Sequence, residues 1–96
     1  MNLSQRQQEF FLHLAAMQDT AVQSCMARQK CDNPQMEGML YEATYDMACA
    51  IMELLDGYSC FSSHRHDSID TVTGERLNAH PQTELHDAIA AFLRVE

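Results

Sequence analysis

Apolar residues recur between Asn33 and Gly57 at spacings of four and three: Met36, Leu40, Ala43, Met47, Ile51 and Leu54. At about 100° per residue these positions line one side of a helix. The flanks agree with that reading. Asn33 offers a side-chain acceptor to the orphan amides of a first turn, and Pro34 fits the first helical position, where no N–H is needed. Gly57 falls where a left-handed cap closes the last turn. Tyr41, Tyr45, Ala48 and Met52 lie beside the stripe, so the apolar arc is wider than one neighbouring helix covers. The pattern predicts a helix packed on two sides.

The remaining sector of that helix carries Glu42, Asp46, Cys49 and Glu53, with no Lys or Arg between Lys30 and Arg65. Like charges at this spacing cost a few tenths of a kcal/mol per pair, and Glu53 and Asp56 also oppose the helix dipole. Either core packing offsets this while the acids face water, or the line is a site for a cation or a basic partner.

Upstream, Ser4 followed by Gln7 is a capping-box pattern that opens a second amphipathic run. Phe10, Leu14, Met17, Ala21 and Cys25 share its apolar face, widened by Phe11 and Val22, while Gln5, Glu9, Asp19 and Gln23 fall opposite. Arg28 and Lys30 suit the dipole at its end, so the first helix runs from about Gln5 to Gln29. Two helices of similar length joined through Cys31 and Asp32 form an antiparallel hairpin. His13, at the edge of the seam, reads as a solvated histidine.

Beyond Gly57 the helical period stops. Tyr58 to Ala79 is irregular, with Asp70, Thr73, Gly74 and Glu75 suited to a tight turn between two short strands, Ser68 to Val72 and Glu75 to Leu77. Pro81 and Thr83 open a last element in which Leu85, Ala88, Ile89 and Phe92 form a single stripe and Glu84, Asp87 and Arg94 point outward. That helix is expected to dock on the free flank of the second. The fold class is therefore mainly α: a long-helix antiparallel hairpin, a shorter third helix, and an irregular or β-hairpin segment between helices 2 and 3.

At 96 residues and 46% hydrophobic content, the chain suits one helical domain over residues 1–96. A core of that size often gains further burial by self-association, which makes a homodimer the expected state. The net charge of -8 argues against direct binding to nucleic acid or anionic membranes, since phosphate neutralisation needs clustered Lys and Arg. The opening MNLSQRQQEF lacks the apolar core of a secretory leader, and no apolar run reaches membrane-spanning length. A cytoplasmic location follows, with Cys25, Cys31, Cys49 and Cys60 as reduced thiols. Their spacing matches neither a disulfide framework nor paired zinc knuckles.

Candidate chemistry rests on the acid line and the histidines. If Ser63 to Asp67 is extended, His64 and His66 point to the same side, and Glu42, Asp46 and Glu53 could complete a site for a divalent metal. His80, His86, Asp67 and Asp87 belong to the same candidate pool. The pair His86-Asp87 is similar to the metal dyad of HD-type phosphohydrolases, and Glu53 with Asp56 resembles half of the magnesium site of MazG-type pyrophosphohydrolases. The further ligands that either family requires are missing, so neither activity is carried over. With three glycines well separated, no phosphate-cradling loop exists.

Three functional readings remain. The first is a non-catalytic, homodimeric protein-interaction or regulatory module that meets partners through Tyr41, Tyr45 and Met52 with Glu42, Asp46 and Glu53. The second is a metal-binding protein or small metal-dependent enzyme using His64, His66 and the acid line. The third is an acidic decoy that occupies the basic groove of a nucleic-acid-binding protein.

Overall fold

A computed structural model describes residues 3–78 and 84–96. Helix α1 runs Gln5–Arg28 and starts with the predicted capping box: the Ser4 hydroxyl accepts from the Gln7 amide at 3.0 Å, and the Gln7 side chain accepts from the Ser4 amide at 2.9 Å. A tight turn, with Lys30 at φ 50°, leads to helix α2, Pro34–Asp56. The Asn33 side chain accepts from the Gln35 amide at 2.8 Å, and Gly57 closes α2 in the left-handed region at φ 90°. A Cβ there would lie 2.8 Å from the His64 backbone carbon, so glycine answers both a torsional and a steric demand. The last element is shorter than its stripe predicts: helix α3, Leu85–Ala88, continues into a 3₁₀ turn at Ile89–Ala91. Pro81 and Thr83, expected at its start, lie outside the described residues.

Two clusters form the interior. Phe11 packs with Ala48, Met52, Leu77, Leu85, Ala88, Ile89 and Leu93, while Val22 and Met26 pack with Tyr41. Late α1 thus meets early α2, and early α1 meets late α2. The C-terminal segment lies against α2 as expected. Arg94 places its guanidinium 4.0 Å from the centre of the Tyr41 ring, a cation–π contact.

The buried faces differ from those read off the pattern. On α1 the buried residues are Gln7, Phe11, Gln18, Val22 and Met26, whereas Met17 is 64% exposed. On α2 they are Tyr41, Ala48, Met52 and Asp56. The stripe through Met36, Ala43, Met47 and Ile51 is turned to solvent. Two glutamines cause part of this rotation. Gln18 Nε2 donates to the Arg94 carbonyl at 2.6 Å while its Oε1 accepts from the Arg94 amide at 2.9 Å, and Gln7 Nε2 donates to Asn78 Oδ1 at 3.0 Å. A buried polar group that meets its partners costs little, so these positions can face the core.

Between α2 and α3 the described residues contain no strand. The predicted turn is present: Asp70 Oδ1 accepts from the Val72 and Thr73 amides at 2.8 and 3.0 Å, and Gly74 takes φ 79°. These bonds to the ionised carboxylate, with the Arg6 guanidinium beside it, lower the Asp70 pKa. Ladder pairing, however, stops at an isolated bridge between Ile69 and Arg76. Asp67 takes the place of a longer ladder, its Oδ1 accepting from the Ser68 and Asn78 amides at 2.8 and 2.9 Å. The segment is held to α1 by Arg6, 3.5 Å from Asp70 and 3.3 Å from Glu75, and by the burial of Leu77.

Candidate functional site

The outward side of α2 is where the sequence-predicted residues sort themselves. Met39, Met47 and Ile51 are 57%, 64% and 47% exposed, and Met36, Ala43 and Ala50 are also at the surface. Leu40 and Leu54 are half-buried along the same line. Near the start of α2 the stripe borders a cavity of about 270 Å³ lined by Cys25, Met26, Cys31, Met36 and Leu40. Tyr41 and Met52, expected at a partner surface, are instead core residues at 2% and 3% exposure. Large side chains that find a partner on α1 or the C-terminal segment go inward, and the methionines without one stay outside.

Glu42, Asp46 and Glu53 all project into solvent beside this stripe. Among the described residues no ion pair involves any of them. Cys49, on the same line, is half-buried against the core. The Cys49 side chain beside Tyr45, followed by partial burial, raises the tyrosine pKa. Tyr45 itself is packed against the Phe11 cluster.

The histidine pair does come together. The rings of His64 and His66 are 4.7 Å apart, with Phe61 against His66 at 5.5 Å. His64 Nδ1 is engaged by the Ser62 hydroxyl at 2.7 Å. The acid line does not join them: among the described residues, the one group of three ligand-bearing side chains close enough to share an ion is Asp56, Glu84 and His86.

That group is a structural anchor. Asp56 has a fully buried side chain whose Oδ1 accepts from the Leu85 amide at 3.1 Å and whose Oδ2 accepts from the His86 amide at 2.9 Å. Oδ2 also lies 2.6 Å from His86 Nδ1. Both carboxylate oxygens are therefore spent on the start of α3. Glu84 accepts from the Tyr58 hydroxyl at 2.6 Å and lies 3.6 Å from Arg65. The bond to Glu84 raises the Tyr58 pKa. The sequence offers His86 and Asp56 only as separate candidates, with Asp56 a dipole-opposing acid beside Glu53, and it sets Glu84 outward, so nothing in it brings the three together. A signal was present in the residue pair Glu84 and His86, at the start of an apolar stripe where a buried counter-charge has a use.

Burial pulls the His86 pKa down, but the hydrogen bond that His86 donates to Asp56 and the charges of Asp87, Asp56 and Glu84 outweigh it and leave the pKa above 6.5. The folded state thus holds this proton more tightly than the unfolded chain does. The stability it contributes is complete below the unfolded value of about 6.5 and fades as pH rises through the folded pKa. Melting temperature should fall across that interval, and the fall should be smaller in His86→Gln. An identical pH profile in the variant would remove His86 from the account.

Comparison of the chain with protein-family models, with curated proteins and with solved structures finds no match.

Proposed function

We propose that this protein is a non-catalytic protein-interaction module whose working surface is the outward stripe of α2. One observation carries the reading: a helix that already supplies Tyr41, Ala48 and Met52 to the core presents a second apolar face, with Met39, Met47 and Ile51 exposed. Contiguous apolar surface on a small protein is costly to hydrate and marks an interface. Methionines suit this role because their unbranched side chains adapt to a partner. Four cysteines without a bridge suit a reducing, cytoplasmic setting.

The exposed acid line favours a second reading, an acidic decoy that offers Glu42, Asp46 and Glu53 to a basic groove. It differs from the first in sign. Neutralising those acids weakens a complex with a basic partner, whereas an apolar contact between acidic surfaces tightens.

A photo-crosslinking residue at Met47, in the cell, tests the module, with the same probe at exposed Thr20 on α1 as control. The expected result is a discrete crosslinked polypeptide from position 47 and none from position 20. Equal labelling from both, or none from either, would overturn the proposal.

A further inference from the structure

We propose that the occupant of the α2 stripe is the same stripe of a second copy, packed antiparallel about a two-fold axis level with Tyr45. This inference rests on reading the stripe as the interaction surface and names its partner. The spacing supports it first. Met36, Leu40, Ala43, Met47, Ala50 and Leu54 alternate by four and three, the a and d positions of a heptad seam. The structure leaves this seam outside the core: Met36, Ala43, Met47 and Ala50 are exposed, and Leu40 and Leu54 half-buried.

The seam is also self-complementary. A two-fold at the level of Tyr45 sets Met36 opposite Leu54 of the second copy, Leu40 opposite its Ala50, and Ala43 opposite its Met47. The central layers then pair a long side chain with an alanine, which lets the helices approach and interdigitate. No position in the seam is left facing a polar residue. Ile51 and Met39 widen the contact on its two edges.

Length and charge determine how tight this dimer is. From Met36 to Leu54 the seam spans about 28 Å at 1.5 Å per residue. One helix face of that length falls toward the low end of the roughly 800 Å² that each partner buries in a standard interface. Electrostatics weakens it further, because an antiparallel two-fold places the acid lines of both copies along the same edge of the contact. Asp46 of one copy comes beside Asp46 of the other, next to the axis, with no cation nearby on α2. The dimer is therefore weak and concentration-dependent, and it tightens when charge is screened or removed.

Sedimentation equilibrium of the full chain from low micromolar to near-millimolar concentration, at low and high salt, tests this. Wild type should move from monomer to dimer, and high salt should strengthen the association. Asp46→Asn should raise the association constant about two- to fivefold, the size of an exposed charge-pair effect. Met47→Glu should lower it by about a hundredfold or more, since each copy then buries an unpaired carboxylate. Met47 is 64% exposed, so circular dichroism and melting of the dilute variant should match wild type and show that the fold is intact. A chain that stays monomeric throughout, or a dimer that salt weakens or that ignores Met47→Glu, would overturn the proposal. If the chain stays monomeric while the Met47 crosslink captures a different polypeptide, the second copy is excluded and the interaction surface stands. If both fail, both readings fall.

Discussion

Replacing Asp56 by alanine should destabilise the protein by about 3 to 5 kcal/mol, the usual cost of breaking a buried, hydrogen-bonded charge pair. The Asp56 side chain is fully buried and accepts from the Leu85 amide, the His86 amide and His86 Nδ1. Alanine leaves two backbone N–H groups at the start of α3 without an acceptor, each worth about 1 to 3 kcal/mol when desolvated. It also removes the counter-charge that raises the His86 pKa, so the pH dependence ascribed to His86 should shrink in the same variant. Because Leu85, Ala88 and Ile89 belong to the main core cluster, the C-terminal segment should loosen before the α1 and α2 pair does. Urea unfolding with hydrogen exchange reads both effects. A loss below about 1 kcal/mol would mean that water replaces the carboxylate and that the anchor is dispensable.

Phe11→Ala should cost a similar amount, about 3 to 5 kcal/mol, through lost transfer energy and the cavity left behind. Phe11 is 0% exposed, stacks on Phe92 with ring centres 5.4 Å apart, and meets the edge of Phe10 at 5.3 Å. It lies where α1, α2 and the C-terminal segment converge, so no single neighbour can move to fill the space. The informative control is Met47→Ala at low concentration. The hydrophobic pattern alone puts Met47 in the middle of the α2 stripe, yet at 64% exposure its truncation should stay within about 0.5 kcal/mol of wild type. Comparable losses at Phe11 and Met47 would show that the α2 stripe is core and would remove the interaction surface with it.

That contrast marks the division between what was legible in the chain and what was not. Helix ends are local: Ser4 with Gln7, Asn33 with Pro34, and Gly57 each satisfy or terminate backbone groups within a few residues, and the structure places α1 and α2 accordingly. The turn at Asp70 to Gly74 is local for the same reason, its amides bound by the Asp70 side chain. The strands expected around it do not form among the described residues, because side-chain bonds to Asp67 satisfy amides that a ladder would otherwise use.

Which side of each helix is buried was decided only by tertiary structure. Periodicity fixes the angular positions of apolar residues but carries no record of their partners, and α2 is apolar over more of its circumference than one monomer covers. The C-terminal segment settled the choice. Arg94 reaches Gln18 across 76 positions of sequence and lies over Tyr41, and Leu85, Ala88 and Ile89 fill the flank that holds Met52. Burial followed the face that gained those contacts, which is why Tyr41 is inside and Met47 is out. Asp56 obeys the same rule. Its sequence neighbours make it an unfavourable charge at a helix end, and only the approach of α3, some 30 residues later in the chain, supplies the two amides and the imidazole that offset its burial.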